Sequence, residues 1–121
     1  MPVTQMLLEI GMGTALRSGS YTKAACRAVQ NALWHNSISL AEVFGAQKQD
    51  MIIDVEIACQ NPEAVDLDTV AAEFPYGRVS CVARAGGLDI ANPSRPDAAA
   101  AIIAHAAIKV SLDISTKEGI A

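Results

Sequence analysis

Apolar and polar residues alternate in four segments of the chain, and this period of two predicts four β-strands. The first strand is expected from Gln5 to Ile10, with Leu8 on one face and Glu9 on the other. The other three are expected at residues 51–59, 78–84 and 109–114. Each strand has one apolar face, which a layer of helices can cover, and one more polar face.

Apolar residues at helical spacing predict two main helices and a short one. The first begins at Ser20, a good N-cap, and is expected to end near residues 34–37, before a loop at 38–50. A short helix is expected over residues 66–73, where the next proline ends it. The second main helix is expected over residues 92–107, which include a run of alanines.

The order of these elements, β-α-β-(α)-β-α-β, predicts an α/β (α+β) two-layer sandwich. Two main helices would cover one face of a four-stranded mixed sheet, all within a single domain, residues 1–121. The uncovered face is expected to carry polar and charged side chains, namely Glu9, Asp54, Glu56, Arg78, Ser80, Arg84, Lys109 and Asp113. A bare sheet face in a small alanine-rich domain is also a surface through which subunits associate. We therefore expect a homo-oligomer, with a trimer as the first guess.

Composition restricts the partners of the protein. A net charge of −4 argues against nucleic acid, whose phosphates need lysine and arginine. No apolar run reaches the ~20 residues that cross a bilayer and no signal peptide is recognised, so we expect no membrane partner and a cytoplasmic location. The cysteines lack metal spacing and are expected to pack as small apolar residues: Cys26, Cys59 and Cys81. The distant His35 and His105 suggest neither a metal nor another cofactor.

The candidate binding site lies after the first strand, where glycine and hydroxyl residues precede the first helix. Glycine permits a tight turn or close approach to a ligand, and a helix N-terminus presents unpaired amides with a partial positive charge. Arginine and lysine beside such a turn suit a carboxylate or phosphate. The residues predicted to bind a small anionic molecule here are Gly11, Gly13, Arg17, Ser20, Thr22 and Lys23. The alternative is a turn that only joins strand to helix, and Leu16 stands where a dinucleotide fingerprint has its third glycine.

Two residues are candidates for catalysis. Glu9 precedes the glycine turn and could act as a general base near Arg17 or Arg84, the latter a further ligand-binding candidate. Ser80 and Lys109 could form the nucleophile and base of an amidohydrolase if their strands are neighbours. The alternative for each of these residues is a solvated surface side chain.

The opening motif resembles the signature of a small family of uncharacterised bacterial and plant proteins. That family carries a GxGxDxHG motif near the N-terminus, followed by a Thr-Lys-Ala-Ala helix. The matching positions are Gly11, Gly13 and Thr22 to Ala25, and the similarity continues through residues 35–37, 75–77 and 86–88. The resemblance therefore covers most of the chain.

The chain departs from that signature at three positions. Ala15 stands where the family has Asp, Arg17 where it has His, and Ser18 where it has the last Gly. If the family's Asp and His transfer protons, this divergent member has lost or changed that activity. The family has no established function, so the resemblance implies kinship rather than a role.

The element order is also similar to that of bacillus-type chorismate mutases and of the ring-opening amidohydrolases of cyclic imides, with a ferredoxin-like arrangement as another possibility. The first two build sites between subunits or repeated domains, an analogy of architecture only. The predicted function is that of a small protein that binds an anionic metabolite near a subunit interface, with or without catalysis. The alternatives are a non-catalytic oligomeric binding or regulatory module and an amidohydrolase-like hydrolase.

Overall fold

A computed structural model describes residues 3–44, 51–74, 77–95 and 97–113 of the chain. These residues form five β-strands and two α-helices. In chain order they are β1 (Val3–Ala15), α1 (Tyr21–Phe44), β2 (Ile52–Cys59), α2 (Leu67–Ala71), β3 (Arg78–Ala85), β4 (Leu88–Ile90) and β5 (Ala101–Asp113). A 3₁₀ turn at Pro62–Ala64 precedes α2. Residues 45–50 of the loop expected at 38–50 lie outside the described residues.

β5 lies at the centre of the sheet, between β1 and β2 and antiparallel to both. β3 pairs in parallel with β2, and β4 pairs with the part of β5 that extends past β2. The connection between β2 and β3 contains α2, as a parallel pair needs a crossover. Asp66 caps α2 by accepting hydrogen bonds from the amides of Asp68 and Thr69. An α+β fold with a mixed sheet is confirmed, with five strands where four were expected.

The prediction of a second main helix over residues 92–107 is wrong, because β5 begins at Ala101 and the described residues before it form turns. Helix propensity is a weak preference, and burial of the alternate residues from Ile102 to Val110 against the helices outweighs it. Residues before β5 form turns, in which the Asn92 side chain accepts a hydrogen bond from the Ser94 amide at 3.0 Å. The strand expected at residues 109–114 is confirmed over 109–113, which form the end of β5, and residue 114 lies outside the described residues.

Both β1 and α1 extend further than the sequence predicted. β1 continues through Gly11 and Gly13 to Ala15, so the glycine turn expected there is wrong. The chain turns instead at residues 16–20, with a positive φ of 68° at Gly19. α1 passes through the polar residues 35–37, because no glycine or proline interrupts it and Ser or Asn alone disfavours a helix only slightly.

Gly11 and Gly13 let α1 pack closely on β1. A Cβ atom on Gly11 would lie 2.3 Å from the carbonyl oxygen of Ala28, and one on Gly13 would lie 2.2 Å from the amide nitrogen of the same residue. Ala24 and Ala32 are also fully buried on this side of α1. The small residues on both elements therefore set the distance between helix and strand, because any larger side chain would push them apart.

The two faces of β1 are reversed relative to the prediction. Gly11 and Gly13 face α1, and by the alternation of the strand Glu9 shares their side. The large apolar side chains, Leu8, Ile10 and Met12, point away from α1 and are 48%, 66% and 51% exposed. The alternation of large apolar residues predicted the wrong inward face for β1. The residues that pack against α1 are glycine and alanine, so the face with the larger apolar side chains is the exposed one.

The core lies between the sheet and the helices. Its largest fully buried side chains include Met51, Ile57 and Ile108 from the sheet and Val29 from α1. Val70 of α2 belongs to the same cluster, which places both helices on one side of the sheet.

The cysteines pack with this core, as the sequence predicted. Cys26 and Cys59 are buried and Cys81 is half-buried. Burial raises the pKa of all three thiols, which keeps them in the neutral form.

Candidate functional site

The loop from Leu16 to Ser20, which joins β1 to α1, borders two adjoining clefts. One has a volume of about 510 Å³ and is lined by Thr14, Leu16, Arg17, Ser18, Lys23 and Arg27. The other has a volume of about 540 Å³ and is lined by Leu16 and Arg17 together with Ile90, Ala91, Asn92, Pro93, Arg95, Ala98, Ala99 and Ala101. Arg17 thus lies at the junction of the two clefts.

Four cationic side chains line these clefts. Lys23 and Arg27 lie on one side of Arg17, and Arg95 lies on the other. The lining residues in the described part of the chain include no Asp or Glu. The clefts therefore form a positively charged region on a protein whose net charge is −4.

Arg27 also holds the edge of the sheet. Its Nη1 donates a hydrogen bond to the carbonyl oxygen of Thr14 at 2.7 Å. A guanidinium carries five N–H donors in a fixed plane, so this bond fixes the group in place and leaves other donors for a ligand. Asn31 acts in a similar way, since its Oδ1 accepts a hydrogen bond from the Met12 amide at 3.0 Å.

The start of α1 is capped by its own side chains. Ser20 Oγ accepts a hydrogen bond from the Lys23 amide at 3.0 Å, which is the N-cap contact that the sequence predicted. Ser18 Oγ accepts from the Ser20 amide at 3.2 Å. Two amides of the predicted anion pocket thus already have partners, and a ligand in the cleft would be held mainly by the cationic side chains.

Three other predicted ligand-binding residues lie away from the clefts. Gly11 and Gly13 are buried against α1. Thr22 anchors the segment before α2, since its Oγ1 accepts from the Asp66 amide at 2.8 Å and donates to the Ala64 carbonyl at 3.4 Å.

Arg84, the fourth such residue, lies on the open face of the sheet, which is the face opposite α1 and α2. It forms an ion pair there with Glu56, at 3.3 Å between Nη2 and Oε1. Of the predicted ligand-binding residues, only Arg17 and Lys23 line a cleft, while Ser20 caps the helix beside it.

The two candidate catalytic residues do not share a site. Glu9 lies on the helix side of β1, whereas Ser80 is exposed on the open face. Ser80 and Lys109 line one small cavity of about 90 Å³, but Asp54 pairs with both of them in the sheet and stands between them. Ser80 and Lys109 are therefore separated by β2 and do not lie on neighbouring strands, as the amidohydrolase hypothesis required.

A hydrogen bond between Tyr21 and Asp89 joins the first turn of α1 to β4. The Tyr21 hydroxyl donates to Asp89 Oδ2, while the buried Oδ1 has no hydrogen-bond partner among the described residues. The hydrogen bond to Asp89 raises the pKa of Tyr21, and burial and the charge of that carboxylate add to the effect. Neither residue lines the two clefts, so the pair acts as a structural link beside them.

Sequence reasoning missed Arg27 and Arg95 as cleft residues. Arg27 lies beyond the first turn of α1, and Arg95 lies in the segment wrongly predicted to start a helix. Asp89 was also missed, although a single acid between Leu88 and Ile90 in an apolar strand could have marked it.

The described residues hold no group of three or more His, Cys, Asp or Glu side chains that could bind a metal ion. Within the same ranges, no helix has the length and apolar character needed to cross a membrane.

Comparison with known proteins identifies relatives of the chain. The model of a family described as "Conserved hypothetical protein (Lin0512_fam)" matches residues 5–110, which confirms the resemblance to an uncharacterised family. A crystal structure of an FtsZ-like protein of unknown function from Nostoc punctiforme PCC 73102 is 34% identical, with a TM-score of 0.78. The similarity covers 93% of this chain and 98% of that one. None of the curated proteins matches the chain.

Proposed function

We propose that this chain, which belongs to the Lin0512 family of conserved hypothetical proteins, is a binding module for a small anionic metabolite. The ligand would carry a carboxylate or phosphate and would lie in the clefts beside the loop from Leu16 to Ser20. The observation that carries the proposal is the position of Arg17 at the junction of two clefts with Lys23, Arg27 and Arg95 around it.

The charge distribution supports an anionic ligand. The protein has nine Lys and Arg residues and a net charge of −4, yet four of the nine line these adjoining clefts. Like charges in one place repel each other, and a bound anion relieves that repulsion. Arginine adds selectivity because its planar donors match the two oxygens of a carboxylate or phosphate.

The lining residues favour binding over catalysis. The described residues that line the two clefts include no Asp, Glu, His or Cys that could act as a general base. Glu9 and Ser80, the candidate catalytic residues, lie elsewhere. The non-catalytic module is therefore the better reading. The similarity in element order to bacillus-type chorismate mutases is a prediction about the fold alone, and it assigns no reaction to this chain.

Two of the three positions at which the chain departs from the signature fit this reading. Ala15 is buried and faces α1, where it leaves no polar group beside the clefts. Arg17 puts a permanent cation where the signature has His, a residue that is largely neutral at physiological pH. The change would strengthen anion binding and remove a group able to exchange protons.

Titration of the protein with inorganic phosphate, sulfate and succinate, followed by NMR, tests the proposal. We expect saturable shifts of backbone amides in residues 14–20 and 91–99, and weaker binding in Arg17→Ala. Arg78→Ala is the matched control, since Arg78 is exposed at the start of β3 and lines neither cleft. Shifts that do not saturate, or that are equal in both variants, would contradict the proposal.

A further inference from the structure

The open face of the sheet carries six of the seven large apolar side chains that are exposed among the described residues. Three lie on β1, one on β3 and two on β4: Leu8, Ile10, Met12, Val82, Leu88 and Ile90. Their exposed fractions range from 46% to 66%. A monomeric protein seldom groups this many exposed apolar side chains on one face, so the face indicates an interaction site.

The size of the face matches a protein interface. β1 and β5 have 13 residues each, and β2 and β3 have eight each. At a rise of ~3.3 Å per residue and a strand spacing of ~4.8 Å, these strands present roughly 650 Å². That area lies within the roughly 600–1,000 Å² that each partner buries in a stable complex.

Most of the charges on the open face have a partner of opposite sign within the chain. Asp54 pairs with Lys109 in the strand register, Glu56 forms its ion pair with Arg84, and Arg78 at the start of β3 adds one further positive charge. A strongly acidic or basic partner would gain little from such a surface. A second copy of the face matches it, because it brings the same apolar side chains and the same largely paired charges.

The free edge of β1 is protected, which directs association to the face. Along this edge the amide of Met12 donates to Asn31, and the carbonyl of Thr14 accepts from Arg27. These two side chains from α1 occupy backbone groups that an added strand would need. Extension of the sheet through β1 is therefore blocked at its C-terminal half, as edge strands commonly require.

From these observations we propose that the open face packs against the open face of further copies of this chain. Ile10, the most exposed of the apolar residues, lies near the centre of the contact on β1. Ile90 belongs both to this face and to the lining of the larger cleft, so the cleft lies at the rim of the interface. The proposal does not depend on anion binding, since a cleft without a ligand would leave the face unchanged.

Light scattering coupled to size-exclusion chromatography tests the assembly at micromolar concentration. The native chain should have a mass two or three times the 12.7 kDa of one copy. Ile10→Lys should raise the dissociation constant by more than roughly tenfold and yield a folded monomer with an unchanged circular dichroism spectrum. Ala72→Lys is the matched control, because Ala72 is exposed at the end of α2 on the other side of the sheet.

The proposal is overturned if the native chain is a monomer, if Ile10→Lys keeps the mass of the assembly, or if Ala72→Lys dissociates it equally. Should Ile10→Lys fail to fold, Met12→Gln at the neighbouring exposed position must still dissociate the assembly. A monomer that instead binds lipid vesicles or another protein through this face would also overturn it. The anion titration, repeated on the monomeric variant, keeps failure of this proposal separate from failure of the binding site.

Discussion

Gly13 lies directly against the backbone of Ala28, so that a Cβ atom on Gly13 would be 2.2 Å from the Ala28 amide nitrogen. No side-chain movement can relieve a contact with backbone. Gly13→Ala should therefore displace α1 and destabilise the protein by about 1–3 kcal/mol or more. Urea denaturation measures the change. Thr14→Ala, one residue along the same strand, should lower the free energy of unfolding far less. Equal losses in the two variants would mean that the contact between Gly13 and α1 has room for a Cβ atom.

The link between Tyr21 and Asp89 predicts a second loss of stability. Tyr21→Phe keeps the ring but removes the donor to a partly buried carboxylate, at a cost of about 1–3 kcal/mol. A double-mutant cycle with Asp89→Leu isolates the pair. We expect a coupling energy well above the error of the measurement, and additive effects would show that the hydrogen bond contributes nothing.

The same pair predicts a pH dependence on the alkaline side. The pKa of Tyr21 is raised above its ordinary value of 10.0, so the neutral phenol is stabilised in the folded state. This contribution is complete below pH 10.0 and is lost as the pH rises through the folded-state pKa. Denaturation curves across this range should show a decline in the native chain that Tyr21→Phe lacks. The same decline in both would exclude Tyr21 as its source.

Arg17 should account for most of the selectivity of the cleft. A charge-assisted hydrogen bond contributes ~1.5–3 kcal/mol, so Arg17→Ala should weaken binding of phosphate or succinate by roughly ten- to a hundred-fold. Arg17→Lys should restore only part of the affinity if the contact is bidentate. Calorimetric titration gives both values. Full recovery in Arg17→Lys would mean that only the charge matters.

Arg17→Ala should leave thermal stability almost unchanged, because the residue is exposed and surface charges contribute little to folding. A large fall in the melting temperature would assign Arg17 a structural role instead.

Asn31 should protect the edge of β1. Asn31→Ala removes the acceptor for the Met12 amide and should speed hydrogen exchange at that amide, with a stability loss of about 0.5–1.5 kcal/mol. NMR-detected exchange reports this residue directly. Lys23→Ala, an exposed change on the same helix, should leave the Met12 amide protected. Unchanged exchange in Asn31→Ala would show that the side chain does not guard the edge.

The sequence predicted β2, β3 and the cap of α1 at Ser20 because alternation and a capping serine are local signals. β1 showed the limit of that reasoning. Its large apolar residues alternate clearly, yet Gly11 and Gly13 face the helix, and only the tertiary contact with Ala28 reveals why. The helix prediction for the segment from Ala101 was wrong for a related reason. Alanine's preference for helix is a local signal, whereas the position of this segment at the centre of the sheet depends on tertiary contacts.

The candidate site was only partly predictable. Arg17 and Lys23 could be found because they lie near the first turn in the sequence. Arg95 comes from a segment more than 70 residues away, and only the pairing of β4 with β5 brings that segment beside the loop. Ser80 and Lys109 show the converse, since both strands were expected but the intervening β2 placed Asp54 between them.

A crystal structure of the protein grown with sodium phosphate asks directly whether the clefts bind an anion. We predict a phosphate ion in contact with the Arg17 guanidinium and with Lys23 or Arg95, in a copy whose clefts are free of lattice contacts. Density for phosphate elsewhere on the surface, with the clefts holding only water, would contradict the proposed binding function.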